Sequence, residues 1–234
     1  MTEVKKSGAS QTVKAVTEDD LAKINRFTLA ALTAEDVFTF DVNACDTQVD
    51  RDYEQFSKAS LDKLAELFVG KTVIFDHAWS AGGQTARIYD AQVVQDGEVY
   101  RLRLSIYMLT GKETQGLRNA ICGGILREVS VGCAVGRAVC SICGKEYGEC
   151  GHRKGERYGG ALCTAILEDP ADAYELSFVA VPAQRDAAVT KMAGVILHKT
   201  DQELEQESAA TKTHEQQIAQ AKARADLYKK MTKI

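Results

Sequence analysis

The sequence lacks several features that mark particular classes of protein. It has no excess of positive charge, since 29 Lys and Arg stand against 33 Asp and Glu, and this balance does not favour nucleic-acid binding. No apolar run reaches the roughly 20 residues that a membrane helix needs, and the first residues lack the apolar segment of a signal peptide. We therefore expect a protein that stays inside the cell and has neither nucleic acid nor a membrane as partner.

What is present is an alternation of predicted helices and strands. Helical spacing or caps predict helices around residues 17–27, over 57–68 and from Thr110, where Glu113 would complete a capping box. Runs rich in β-branched and aromatic residues predict strands at 37–42, 71–77, 126–133 and 174–181. Two alternating segments around Asp96-Gly97 predict a hairpin over 84–109. These elements favour the α+β class.

The length of 234 residues indicates one main domain with appendages. We expect an N-terminal extension and helix at 1–33, the main domain at 34–198, and a charged tail at 199–234. The tail is acidic in its first half and basic in its second, which is typical of a solvated helix or a flexible extension.

Histidine is scarce, and this limits the choice of a general base. A serine needs a neighbouring base to become a nucleophile, and histidine suits that role near neutral pH. His77 alone ends a predicted core strand; the other histidines are His152, His198 and His214. The simpler alternative is that His77 only caps that strand.

A candidate nucleophile lies on a later predicted strand. Alternation places Ser130 and Glu128 on one face, while Val129, Val131 and Cys133 face the core. A thiol nucleophile, from Cys45, Cys122 or Cys133, is the weaker alternative, because Cys133 lies on the strand face opposite Ser130, which suits a buried apolar cysteine better.

Four blocks together resemble a known family. They are Asp46–Phe56, Phe75-Asp76-His77, Glu128-Val129-Ser130-Val131-Gly132 and the run from Tyr174 to Ala183. In their order, over about residues 37–190, they are similar to the prohead (head maturation) serine proteases of tailed bacteriophages, which are related to the herpesvirus assemblins.

The resemblance implies a fold and a set of catalytic residues. The fold would be a mostly antiparallel, bent sheet or barrel with peripheral helices, as in assemblins. His77 would be the general base, Ser130 the nucleophile and Glu175 the third member of the triad. Glu128 remains an alternative third member, because it shares the strand face of Ser130.

The resemblance also implies a biological role. The protein would be a serine endopeptidase that cleaves scaffold and capsid precursor, and itself, inside the assembling prohead in the host cytoplasm. Self-cleavage is expected between about Lys199 and Ala210. A homodimer is compatible with this, since herpesvirus relatives gain activity by dimerising. The alternative is a noncatalytic, zinc-binding capsid-assembly or scaffold protein that retains the fold.

Cysteines cluster between the segments that carry Ser130 and Glu175. A Cys-x-x-Cys pair on a tight turn can hold one tetrahedral zinc ion with two further ligands. Five residues compete for four places: Cys140, Cys143, Cys150, His152 and Cys163. The set that includes His152 is favoured, because Cys150 and His152 are close in sequence. We expect a structural zinc knuckle inserted at 139–164, with no cofactor needed for catalysis; the alternative is a reduced, metal-free loop.

Overall fold

The structure is a computed structural model, and it describes residues 15–194. The predicted tail, the expected cleavage segment, His198 and His214 lie outside these residues. The described α-helices are α1 (Glu18–Ile24), α2 (Lys58–Phe68) and α3 (Lys112–Cys122), and a short 3-10 turn spans Ala81–Gly83. The strands are β1 (Val37–Asp46), β2 (Glu54–Phe56), β3 (Thr72–Phe75), β4 (Ala86–Asp96), β5 (Val99–Leu109), β6 (Val129–Cys140), β7 (Arg157–Tyr158), β8 (Ala161–Leu162), β9 (Ala165–Phe178) and β10 (Ala188–Gly194).

Helix α2 confirms the helical prediction for residues 57–68. Ser57 caps its N-terminus by accepting the N–H of Ser60, and Gly70 follows with φ +88°, a conformation that glycine adopts at little cost. The apolar residues of α2 face the sheet.

In the part of the chain that the structure describes, no helix is both long and apolar enough to cross a membrane.

The predicted start of α3 is wrong by one residue. Gly111 is the N-cap, and its N–H donates to the hydroxyl of Thr114. The hydroxyl of Thr110 donates instead to the carbonyl of Glu35, 2.6 Å away, so tertiary contact overrides the expected capping box. The predicted end is confirmed, because Gly123 is the C-cap and Gly124 has φ +71°.

The main sheet is mixed and mostly antiparallel. Its strands follow the order β10-β1-β5-β4-β3-β9-β2, and β6 pairs with the remaining edge of β9. The hairpin β4–β5 turns at Gly97 and Glu98, as predicted, with Gly97 at φ +61°. Only β3 and β2 run parallel to β9. The α+β class with a mostly antiparallel sheet is therefore confirmed.

The sheet of the described residues is not closed into a barrel, so the barrel alternative of the fold prediction is wrong for them. The two outer strands, β6 and β10, share no ladder; only an isolated bridge joins Glu128 to Ala188. Two backbone hydrogen bonds flank this bridge, from Val129 N–H to Ala187 and from Val189 N–H to Arg127. The sheet thus approaches closure at one point without forming a barrel.

Strand β9 differs from its predicted extent at both ends. It begins at Ala165, much earlier than expected, because the polar stretch with Glu168 and Asp169 pairs with β6 although it lacks strand periodicity. It ends at Phe178, opposite the last residue of β3, and the expected extension to Val181 does not form. Val181 is 70% exposed.

The core lies between one face of the sheet and α2. Phe38, Phe40, Leu64, Leu104 and Leu176 are among its buried side chains. The same face of β6 contributes Val129, Val131, Cys133 and Val135, as the alternation predicted. The opposite face of β6 and β9 carries polar side chains.

Replacement of Leu64 by alanine should lower the free energy of unfolding by about 2–5 kcal/mol, because it leaves a cavity among fully buried neighbours. Urea denaturation measures this change. Leu67→Ala is the matched control on the same helix, since Leu67 is only partly buried, and its cost should be smaller. Equal costs would contradict the observed orientation of α2.

Candidate active site and metal centre

Three adjacent strands bring together the residues singled out in the sequence. Over Glu175–Phe178, strand β9 lies between β3 and β6, so each of these four residues has a neighbour on both sides. Ser130 of β6 is directly opposite Ser177 of β9, and Gly132 is opposite Glu175. Since opposite residues and residues two apart share a face, Ser130, Ser177 and Glu175 project from the same side of the sheet.

His77 follows β3 in a tight turn. The strand ends at Phe75, two residues earlier than predicted, and both Asp76 and His77 have positive φ, +49° and +53°. This conformation costs about 1–2 kcal/mol for each residue that has a Cβ. Two contacts with β9 hold the turn: Asp76 N–H donates to the carbonyl of Phe178, and His77 N–H donates to the hydroxyl of Ser177, each at 3.0 Å.

The imidazole of His77 is hydrogen-bonded to a buried carboxylate. Nδ1 of His77 lies 2.7 Å from Oε1 of Glu175, and the Glu175 side chain is 3% exposed while that of His77 is 43% exposed. The other oxygen, Oε2, accepts a hydrogen bond of 2.6 Å from Ser177. A carboxylate at Nδ1 favours the tautomer with its proton on Nδ1, so Nε2 is free to accept one.

Ser130 is close to this pair but not bonded to it. Opposite residues of an antiparallel ladder have Cα atoms within about 5.5 Å of each other, so Ser130 and His77 both neighbour Ser177. Within residues 15–194, the hydroxyl of Ser130 makes no hydrogen bond. Catalytic hydrogen bonds are often long in proteins without substrate and shorten when it binds.

The alternative third member, Glu128, does not contact His77. It lies one residue before β6, at the isolated bridge to Ala188, and its carbonyl accepts the N–H of Val179. No described hydrogen bond joins its carboxylate to the imidazole. The structure therefore brings Glu175, and not Glu128, to His77, because only Glu175 lies on the strand next to β3.

Two residues near the site were not singled out in the sequence. Ser177 contacts both His77 and Glu175, and Gly132 leaves the room in which the Glu175 carboxylate lies, since a Cβ at Gly132 would overlap Oε1. The signal for Ser177 was its spacing of two residues from Glu175, which places the two side chains on one strand face. The cross-strand position of Gly132 depends on register and has no local signal.

The cysteines near β6 do not provide an alternative nucleophile. Burial, together with the charge of Glu175, raises the pKa of the Cys133 thiol to about 11. Burial also raises the pKa of Cys45 and Cys122. Because the thiolate is the reactive form, these three residues act as packing groups.

A second constellation lies where β6 ends. Four residues, Cys140, Cys143, Cys150 and His152, place one ligand atom each within 4.8 Å of one another. A tight turn brings the first two together, since Gly144 N–H donates to the carbonyl of Cys140 at 2.9 Å and Gly144 has φ +71°. This is the four-residue set that the sequence favoured, and its geometry could hold one metal ion.

The chemistry of these residues fits a metal. Burial opposes ionisation of the Cys140 thiol, but the N–H groups of Cys143 and Ile142 and the thiols of Cys150 and Cys163 outweigh it and lower its pKa to about 6. Thiolate is the form that binds metals. In addition, Nδ1 of His152 is buried and has no hydrogen-bond partner among residues 15–194, and coordination would satisfy it.

The fifth candidate, Cys163, borders the cluster without joining the four-residue set. Its sulfur lies 3.8 Å from that of Cys140, and its side chain is buried. Burial, with the adjacent Cys140, raises the pKa of its thiol to about 11. Cys163 is therefore placed as a neighbouring thiol next to the four ligand candidates.

Comparison of the chain with protein-family models, with curated proteins and with solved structures finds no match. The two candidate sites therefore rest on the geometry of this chain's own residues.

Protein purified without chelator should contain about one equivalent of a divalent metal, because four ligand atoms lie within 4.8 Å of one another. Elemental analysis of the purified protein measures this content. His152→Ala should lower it strongly, whereas Cys163→Ala should leave it unchanged. Loss of metal on replacing Cys163, with retention on replacing His152, would contradict the assigned ligand set.

Proposed function

We propose that this chain is a serine endopeptidase in which Ser130 is the nucleophile, His77 the general base and Glu175 the residue that orients His77. One observation carries the proposal: a carboxylate that is almost fully buried binds Nδ1 of an exposed histidine, next to the strand that carries Ser130. A purely structural ion pair would gain little at such an exposed histidine. An imidazole that is oriented and accessible suits proton transfer.

The proposed reaction begins at the hydroxyl of Ser130. Its oxygen forms a bond to the carbonyl carbon of the scissile peptide while its proton moves to Nε2 of His77. His77 then gives this proton to the nitrogen of the leaving amine as the C–N bond breaks, which leaves an acyl ester on Ser130. Water hydrolyses the ester by the same proton route. Glu175 stays ionised throughout and stabilises the imidazolium.

The resemblance to the prohead proteases supports a substrate for this activity. On that basis, the protein cleaves scaffold and capsid precursor, and its own chain, inside the assembling prohead in the host cytoplasm. These proteins are its proposed partners, together with a second copy of the chain in a homodimer. The buried carboxylate–histidine pair, with Ser130 on the adjoining strand, favours this role over a noncatalytic scaffold role.

Zinc is the metal we propose for the Cys140 cluster. Three thiolates and one imidazole are a ligand set typical of structural, four-coordinate zinc. When bound, the ion would cross-link the end of β6 at Cys140 to residues 141–164, which connect β6 to β9 and contain few apolar side chains to hold a shape. The four ligands would leave no open position, so the ion takes no part in peptide cleavage.

Co-expression with capsid precursor and scaffold should yield cleaved products with the wild-type chain and uncleaved precursors with Ser130→Ala. Gel electrophoresis and mass spectrometry of the products measure this difference. Ser80→Ala is the control, because Ser80 is exposed and its hydroxyl makes no described hydrogen bond; it should cleave normally. Cleavage that persists in Ser130→Ala would refute the assigned nucleophile.

Replacement of Glu175 by glutamine should reduce kcat by roughly 10⁴-fold with little change in KM, because the amide no longer enforces the productive tautomer of His77. Steady-state cleavage of purified precursor measures both constants. Glu128→Gln is the matched control and should keep kcat within about twofold. A large loss in Glu128→Gln with normal Glu175→Gln would reverse the assignment of the third residue.

A further inference from the structure

Ser177 is a fully buried serine with two hydrogen bonds of defined direction. Its side chain is 0% exposed, and its hydroxyl lies between the backbone N–H of His77 and Oε2 of Glu175. The N–H can only donate and the carboxylate can only accept. The hydroxyl must therefore donate its proton to Glu175 and accept from His77.

The bond to Glu175 fixes the orientation of the carboxylate. Oε1 is hydrogen-bonded to Nδ1 of His77, and Oε2 has the hydroxyl of Ser177 as its hydrogen-bond partner among the described residues. Without the hydroxyl, a buried anionic oxygen would lose its donor, which is unfavourable for a group that water cannot reach. The carboxylate of Glu175 would then rotate more freely, and its hydrogen bond to Nδ1 of His77 would no longer have a single geometry.

The bond to His77 restrains a turn that is strained. Asp76 and His77 both have positive φ, which is unfavourable for residues that have a Cβ. Two hydrogen bonds oppose this strain, from the N–H of Asp76 to the carbonyl of Phe178 and from the N–H of His77 to the hydroxyl of Ser177. Loss of one of them would let the His77 turn relax away from β9.

We propose that Ser177 is a positioning residue, which holds the carboxylate of Glu175 and the backbone of His77 at the same time and thereby directs Nε2 towards Ser130. This inference rests on the proposed peptidase function. Ser177 does not touch the reacting atoms itself. Its register explains how it can serve both groups, since it lies between Ile74 of β3 and Ser130 of β6 in one row of the sheet.

Ser177→Ala should lower kcat for cleavage of purified precursor by about 10–100-fold and leave KM within about twofold. Ser60→Ala is the matched control: Ser60 is also buried, and its hydroxyl also makes described hydrogen bonds, to Leu167 and Ser57, but far from His77. It should lose similar stability in urea and keep its kcat. An equal fall of kcat in both variants would show that Ser177 has only a general structural role and would overturn the proposal.

A double-mutant cycle provides a second readout. In the Glu175→Gln background, Ser177→Ala should reduce kcat further by less than about threefold, since residues that act as a unit are not additive. Fully multiplicative losses would contradict the proposal. If Ser177→Ala does not fold, Ser177→Cys keeps the shape of the side chain with a somewhat larger sulfur in place of the oxygen and weakens both hydrogen bonds, and it should also lower kcat.

A third readout does not depend on activity. Long-range ¹H–¹⁵N spectra of Ser130→Ala should show His77 mainly as the tautomer protonated at Nδ1, and adding Ser177→Ala should make that population mixed. An unchanged tautomer would overturn the positioning role. A wild-type chain that cleaves no precursor would contradict the proposed function instead, while the change of tautomer would still establish what Ser177 positions.

Discussion

The hydrogen bond between His77 and Glu175 is the contact on which the candidate active site depends. It joins the end of β3 to the neighbouring strand β9, and it exists because these two strands run parallel and in register, with Phe75 opposite Phe178. Parallel pairing puts the residues after β3 next to the last residues of β9, at the same edge of the sheet. The positive φ values of Asp76 and His77 then turn the imidazole back over Glu175.

The long ladder between β6 and β9 connects the two candidate sites. At one end, Ser130 pairs with Ser177; at the other, Cys140 pairs with Ala165, directly beside the cysteine cluster. The connecting residues are tied to the sheet edge as well, through an ion pair between Lys154 and Glu54 of β2. Because metal binding to such sites is coupled to folding, the cluster would stabilise the far end of the strand that carries the proposed nucleophile.

Local signals in the sequence were enough to predict several elements. Helix α2 and the hairpin at Gly97 have strong periodicity and strong turn residues, and both were predicted closely. The structure also brings the four favoured ligand candidates together, and the sequence could single them out because Cys-x-x-Cys and Cys-x-His are local spacings. The association of His77 with Glu175 followed only from the resemblance between blocks, since nearly a hundred residues separate them.

What could not be predicted depends on contacts that have no local signature. The N-terminal half of β9 contains Glu168, Asp169 and Pro170, which interrupt any strand pattern, and it is a strand because β6 pairs with it. Thr110 was expected to cap α3, but its hydroxyl donates to the carbonyl of Glu35 instead. The room that Gly132 leaves for Glu175 and the bridging position of Ser177 both follow from strand register. Register is set by the whole sheet, so these two residues became visible only in the structure.

The proposed activation of Ser130 by Glu175-bound His77 is tested most directly by reaction with a fluorophosphonate probe, because such probes modify activated serines irrespective of the natural substrate. The site of modification is mapped by peptide mass spectrometry. We predict a single adduct on Ser130 in the wild-type chain and its near-complete loss in His77→Ala. Absence of an adduct on Ser130 in folded wild-type protein, or an adduct that forms equally fast in His77→Ala, would contradict the account.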